Sequence, residues 1–190
     1  MISDQFGLMV RQGRLRECIA AMEDILRSMR ATPYHSVLDR TFSHLAEPGA
    51  LYLASYHEKA SAQTHVKALY FEMNDFTINT DLWFFSGFGY EKAGDLRDLN
   101  WLSDWDHEGE DEFTLSGMEP VQEAFARLYG NQGQPLAVRL AGELAEHLVT
   151  ARYMEVIADA HERAKRLRPE LRGVRVFAAA HDWDDVQVTE

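Results

Sequence analysis

The most regular hydrophobic pattern lies in residues 14–30, where apolar side chains recur every three or four positions. This spacing places Leu15, Ile19, Met22 and Leu26 on one face of a helix. Basic residues stand in the last turn, where the helix dipole favours cations. The segment is therefore predicted to be an amphipathic α-helix.

Two later segments have the same period. Residues 118–129 predict a helix with Ser116 as its N-cap and Glu119 completing a capping box. Residues 135–168 predict a long helix, and at this length we expect a kink or break near residue 150.

Weaker patterns precede these helices. Residues 34–45 follow Pro33 and are interpreted as a second helix. Residues 50–62 fit either a helix or a strand, and we favour the helix because Pro48 suits a first helical turn.

Runs of aromatic and apolar residues predict the strands. Residues 66–73 and 82–90 are expected to pair antiparallel, and residues 111–115 form another short strand. Residues 173–180 contain few polar side chains, which indicates a central strand. The order of elements predicts an α+β fold, a single domain over residues 1–190 with helices packed on a small, mostly antiparallel sheet.

Composition narrows the functional classes. The chain has 190 residues and a formal net charge of −12, which argues against nucleic acid and anionic membranes as partners. A single cysteine, Cys18, excludes an intrachain disulfide and is expected in the core. No apolar run is long enough to span a bilayer, and the N-terminus lacks the pattern of a secretory signal. We therefore expect a cytoplasmic protein.

The negative charge is concentrated in one region. Between Glu91 and Glu119, ten acids stand against Lys92 and Arg97. Within this region, aromatic residues alternate with acids; the candidate partner-binding residues are Trp101, Asp104, Trp105, Asp106, Glu108, Glu110 and Asp111.

Three interpretations of this region remain open. It is a solvated loop, a surface that binds a basic protein, or a cation site. Aromatic anchors inside an acidic rim favour binding of a basic protein. A calcium loop fits poorly, because its eighth and twelfth positions would be Asp111 and Leu115.

A second cluster follows the last predicted strand. His181, Asp182 and Asp184 form a candidate site for a metal-assisted hydrolase, with Glu72 or His107 as further members. Neither a P-loop nor the G-x-S-x-G motif of serine hydrolases is present. A third hypothesis is a structural oligomer joined through the aromatic strand LWFFSGF.

Four runs together resemble small bacterial proteins of the toxin-immunity type. These runs are ALYFEMNDFTINTDLWFFSGFGYEK, WLSDWD, FTLSGMEPVQEAF and AAAHDWDD. The resemblance implies a cytosolic inhibitor that covers the active site of a toxin and has no catalytic residues of its own. An acidic surface fits this class, because nuclease toxins tend to be basic.

The sequence thus predicts a non-enzymatic interaction module with a basic protein partner and no cofactor. The hydrolase hypothesis is kept as the alternative. The sequence leaves the oligomeric state open.

Overall fold

The computed structural model describes residues 2–74, 76, 79–129, 131 and 133–190, with side chains from Gln5 onward. It has an α+β fold, as predicted, with a helical layer packed on a mixed sheet. The α-helices in the described ranges are α1 (Ile2–Arg11), α2 (Leu15–Ser28), α3 (Ala46–Ser61), α4 (Glu119–Leu128) and α5 (Leu136–Leu167).

Within the residues that the structure describes, the sheet has six strands: β1 (Ala68–Met73), β2 (Phe84–Tyr90), β3 (His107–Glu108), β4 (Phe113–Thr114), β5 (Arg175–Ala180) and β6 (Gln187–Thr189). Their order is β3-β2-β1-β5-β6, and β4 pairs with β2 beside β3. The predicted antiparallel pairing of β1 with β2 is confirmed. The pairing of β1 with β5 is parallel, whereas the remaining pairings are antiparallel. The sheet is therefore mostly antiparallel, and β5 lies inside it as expected.

One face of the sheet is covered by α3 and α5. The Tyr153 hydroxyl of α5 donates a hydrogen bond of 2.8 Å to the Phe71 carbonyl of β1. The two helices approach closely, since a Cβ built on Gly49 of α3 would lie 3.3 Å from the Ala160 Cβ of α5. This contact fixes the position of α3 above the sheet.

The other face of the sheet is covered in part by the chain that follows β2. The Trp101 ring packs against Tyr90 and Phe177, with ring centroids 4.9 Å and 5.1 Å apart. Trp101 Nε1 donates to the Asp95 carbonyl at 3.3 Å. Trp101 is therefore half-buried and contributes to the packing of this layer.

Several local predictions are confirmed. The amphipathic helix predicted over residues 14–30 is α2, and Cys18 on it is fully buried. The helix favoured over residues 50–62 is α3, which begins at Ala46, four residues earlier.

Other local predictions are wrong. Residues 34–45 form two short 3₁₀ helices, Pro33–Val37 and Ser43–Leu45, instead of an α-helix. The expected break near residue 150 is absent, because α5 is continuous and buries side chains throughout its middle.

The cap predicted for the fourth helix is also wrong. Met118, and not Ser116, occupies the N-cap position of α4. Gly117 has a φ of +101°, which turns the chain into the helix. The Glu119 carboxylate instead accepts a hydrogen bond of 2.8 Å from the Gly117 N–H.

In the described ranges, no helix is both long enough and apolar enough to cross a membrane.

A fully buried histidine makes the stability of the fold depend on pH. His161 of α5 lies near Thr189 Oγ1 (2.8 Å from Nδ1) and the Leu171 carbonyl, and burial lowers its pKa to about 4. The unfolded chain therefore binds an extra proton between this pKa and the ordinary histidine pKa of about 6.5. The contribution of His161 to the free energy of unfolding is therefore complete above its ordinary pKa and is lost as the pH falls towards its pKa in the folded protein.

We expect the His161 contribution to the free energy of unfolding to fall by about 2 kcal/mol between pH 7.5 and pH 5. Urea titrations at both pH values measure this loss. The His161→Gln variant should be less stable at pH 7.5 but should show a smaller pH slope. An unchanged slope would contradict the prediction, and the exposed His65→Gln change is the control.

Candidate functional site

The acidic segment, residues 104–112, lies along the outer edge of β2. The Asp106 N–H donates to the Gly89 carbonyl and the Gly109 N–H donates to the Gly87 carbonyl, both at 2.9 Å. Short strand β3 lies between these two hydrogen bonds. The segment is thus held as an addition to the sheet rather than as a free loop.

Helix α3 holds the same segment from above. The Tyr56 hydroxyl donates to the His107 carbonyl at 3.0 Å and lies 3.1 Å from His107 Nδ1. The Tyr52 hydroxyl donates to the Asp111 carbonyl at 2.6 Å. Lys59 Nζ forms an ion pair of 2.6 Å with Asp111 Oδ2.

A cleft of about 380 Å³ lies between α3 and the segment. We call it the α3 cleft; its lining residues are Tyr52, Ser55, Tyr56, Lys59, Gln63 and Asp106 to Asp111. The rings of Tyr52 and Tyr56 are nearly parallel, at 14°, with centroids 6.4 Å apart. The cleft therefore combines a partly exposed tyrosine ring, that of Tyr52, with a carboxylate rim.

Burial controls the protonation of the two tyrosines. Burial, together with the charges of Asp111 and Glu112, raises the pKa of Tyr52 to about 12. Burial also raises the pKa of Tyr56 far above its ordinary value. Both hydroxyls are therefore neutral donors near pH 7, and the negative charge of the cleft comes from its carboxylates.

The acids of the segment divide into two groups. Asp106 accepts a hydrogen bond of 2.7 Å from the Glu91 N–H, and Asp111 is paired with Lys59. Asp104, Glu108 and Glu110 are exposed. In the described part of the chain, these three form no ion pair within 4 Å.

The two tryptophans of the predicted surface differ in exposure. Trp105 is 44% exposed and packs on Phe88 of β2, with centroids 5.1 Å apart. Side chains alternate between faces along a strand, and a Cβ on Gly87 would meet Tyr56 of α3. Phe88 and Trp105 therefore lie on the face of the sheet opposite α3. Trp101, being half-buried, is the less accessible of the two.

The predicted hydrolase cluster is assembled in part. His181 follows β5, and its Nδ1 contacts Glu72 Oε1 of β1. The Asp182 Oδ2 lies 3.7 Å from His181 Nε2, with Asp182 at a φ of +59°. Parallel pairing brings the carboxyl ends of β1 and β5 together, which explains the contact.

Two other residues of the predicted hydrolase cluster, Asp184 and His107, do not join the contact between His181 and Glu72. The Asp184 side chain is exposed and makes no hydrogen bond or ion pair with a described residue. His107 contacts Tyr56 on the α3 side. Among the described residues, no group of three or more His, Cys, Asp or Glu side chains is placed to hold a metal ion.

The α3 side of the cleft was not predicted from the sequence. Tyr52, Tyr56 and Lys59 are separated by four and three residues, which is the spacing of one helix face. That spacing was a usable signal. The pairing of this face with the acidic segment was not visible, because the residues are about fifty positions apart.

Comparison of the chain with protein-family models, curated proteins and solved structures gives no match. The resemblance to toxin-immunity proteins therefore stays a prediction.

Gly109 provides a test of how tightly the segment is held. A Cβ built on it would lie 2.8 Å from Tyr56 Cε2 and 3.2 Å from the Gly87 carbonyl oxygen. We expect Gly109→Ala to displace the segment and cost about 1–3 kcal/mol in the free energy of unfolding. Urea titration and hydrogen exchange of residues 106–111 measure the effect.

Gly89→Ala is the matched control, because its Cβ would meet only ordinary contacts of 3.5 Å and longer. Equal stability and equal exchange in the two variants would show that α3 does not hold the segment as described.

Proposed function

We propose that this protein is a non-enzymatic interaction module, a bacterial cytoplasmic protein of the toxin-immunity type that binds a basic protein. The observation that carries the proposal is a set of three exposed carboxylates on the acidic segment, two of which, Glu108 and Glu110, line the α3 cleft. Asp104, Glu108 and Glu110 have no ion-pair partner among the described residues, so a cationic partner would neutralise them without breaking an internal pair.

The chemistry of the cleft suits a lysine or arginine side chain. A cation gains from the partly exposed ring of Tyr52 and from the carboxylates at the rim. Lys59 is already paired with Asp111, which reduces its repulsion of an incoming cation. The cleft is therefore a proposed contact for one basic side chain of the partner.

Trp105 supplies the apolar part of the proposed surface. Its exposed indole ring lies on the opposite face of the sheet from the cleft. A partner that contacts both must span the β2 edge, and the acidic segment follows this edge. The surrounding negative charge would speed association with a basic protein at low salt.

The proposal predicts that the carboxylates of the acidic segment, and not the net charge of the protein, determine the affinity for a basic partner. We compare two triple variants, Asp104→Asn/Glu108→Gln/Glu110→Gln and the control Glu123→Gln/Glu143→Gln/Glu170→Gln. Both remove three exposed carboxylates, and both keep the structural roles of Asp106 and Asp111.

The probe is a fluorescent peptide of alternating lysine and arginine, titrated at low and high salt. We expect the first variant to bind about tenfold more weakly, since exposed ion pairs contribute up to about 1 kcal/mol each. The control should bind nearly as well as the parent. Equal losses in both variants would show that overall charge attracts the peptide, and would overturn the proposal. A basic protein captured from bacterial lysate by the parent and control alone would identify the partner.

The second candidate is the metal-assisted hydrolase built on His181, Asp182 and Asp184. One observation favours it, the contact of His181 with Glu72 at the carboxyl ends of parallel strands, a frequent location of ligand sites.

Calorimetry with Zn²⁺ and Mn²⁺, together with hydrolysis of nitrophenyl esters and phosphates, tests this candidate. The hydrolase function requires both metal binding and turnover in the parent protein. Both should be lost in His181→Ala and in Glu72→Gln, and kept in His65→Ala. A parent protein that neither binds the metals nor turns over a substrate removes the hydrolase hypothesis.

A further inference from the structure

A second cavity lies between the first turns of α5, the end of α4 and the 3₁₀ helix Pro33–Val37. It measures about 270 Å³ and shares no lining residue with the α3 cleft. We call it the α5 cavity; its lining residues include Tyr34, Tyr129, Arg139, Gly142, Glu143 and Glu146. Pockets for drug-sized ligands hold about 300–1,000 Å³, so the α5 cavity suits a smaller molecule.

A buried tyrosine brings a hydroxyl without a partner to the α5 cavity. Tyr34 is 2% exposed, and its ring packs edge-on against Phe125 of α4, with ring centroids 5.2 Å apart. Within the described part of the chain, the Tyr34 hydroxyl makes no hydrogen bond. A hydroxyl withdrawn from water without a partner is unfavourable, and a polar ligand in the cavity supplies the missing hydrogen bond.

Gly142 of α5 lets the hydroxyl end of the Tyr34 ring reach the cavity. A Cβ built on Gly142 would lie 3.0 Å from Tyr34 Cε2 and 3.3 Å from Tyr34 Oη. Glycine is unfavourable in the interior of a helix, and this close approach explains its presence. Any larger side chain at position 142 would displace the ring or fill the space beside it.

Opposite charges line the α5 cavity on one helix. The Tyr129 hydroxyl donates to Glu146 Oε1 at 3.2 Å, which orients this carboxylate. Arg139 stands seven residues earlier, two turns or about 10 Å along α5, and is exposed. Among the described residues, Arg139 has no acid within 4 Å. The cavity therefore presents a carboxylate and an uncompensated guanidinium to the same space.

The Tyr34 hydroxyl lies on the acidic side of this space. Burial, and after it the charge of Glu146, raises the pKa of Tyr34. The hydroxyl is therefore neutral near pH 7, and its oxygen accepts a hydrogen bond from a cationic donor. A donor that reaches both Tyr34 and Glu146 finds two acceptors.

We propose that the α5 cavity is a binding site for a small amino acid in its zwitterionic form. The ammonium group of the ligand donates to the Glu146 carboxylate and to the Tyr34 hydroxyl oxygen, and the carboxylate of the ligand pairs with Arg139. Arg139 repels a ligand that carries only a positive charge. The lining carboxylates of Glu143 and Glu146 repel one that carries only a negative charge, so a ligand with both charges is the best complement.

Four five-carbon compounds test this charge pattern. L-Norvaline and 5-aminovalerate carry both groups, pentylamine carries only the ammonium, and valerate carries only the carboxylate. The probe of binding is the amide signal of Gly142 in the NMR spectrum of the ¹⁵N-labelled protein, which gives each dissociation constant. We expect at least one of the amino acids to bind about fivefold more tightly than pentylamine or valerate.

Arg139→Gln tests the carboxylate half of the site. It should weaken binding of the amino acid about fivefold and leave the affinity for pentylamine unchanged or higher, because only the amino acid has a carboxylate to lose its partner. Arg172→Gln is the matched control, since Arg172 is an exposed arginine outside the cavity. It should leave both affinities unchanged.

Tyr34→Phe tests the ammonium half and removes the hydroxyl alone. It should weaken the amino acid and pentylamine alike, by about tenfold, since each loses a hydrogen bond to a charged group. The urea midpoint should not fall, because no internal hydrogen bond is lost. Tyr90→Phe is the converse control: it loses a 2.9 Å hydrogen bond to the Leu102 carbonyl, so it should lower the midpoint and keep the affinity.

Four results would overturn the proposal. They are no shift of the Gly142 signal with any compound, a single-charge compound bound as tightly as both amino acids, equal affinities in Arg139→Gln and Arg172→Gln, and a lower urea midpoint in Tyr34→Phe. The titrations contain no basic peptide and use the unchanged acidic segment. Their failure is therefore distinct from a failure of the proposed function.

Discussion

Close packing of α3 on α5 is the constraint on which the candidate site depends. The facing positions are mainly small, with Gly49 against Ala160, so the two helices pack tightly over the sheet. This places Tyr56 directly above β2, where only glycine fits at position 87 without displacing the ring. The hydroxyl of Tyr56 then reaches His107 and holds the acidic segment. A larger residue at position 49 would shift α3 and the cleft together.

The sequence predicts a helix or strand most reliably where a single hydrophobic periodicity determines it. Helix α2 and strand β5 follow directly from their hydrophobic patterns. Helix α1 was not predicted, and its ion pair between Arg11 and Asp185 joins positions far apart in the chain. The interval between Pro33 and Leu45 has a helical composition, yet it forms 3₁₀ turns around Asp39, which has a φ of +62°.

The same limit applies to the candidate site. Its acids were evident from the local charge of one segment, since that needs no tertiary information. Its tyrosines and Lys59 were not, because they belong to a helix whose neighbour is set by packing. The contact of Glu72 with His181 likewise follows from a parallel pairing of β1 with β5. Parallel strands so distant in sequence carry no local signal of register. Trp105 and the cleft lie on opposite faces of the sheet because side chains alternate between the two faces along β2. Which face α3 covers could not be predicted from the sequence of β2 alone.

The short strands on the outer side of β2 have a consequence for solubility. β3 and β4 each pair with only two residues of β2, so this side would otherwise offer backbone donors and acceptors to another sheet. The acidic segment joins them and covers the edge with negative charge. Two copies of the chain brought together along this edge would repel each other, which disfavours aggregation by strand addition. The carboxylates proposed to attract a basic protein thus also keep the protein from its own copies, and selection on either property would preserve both.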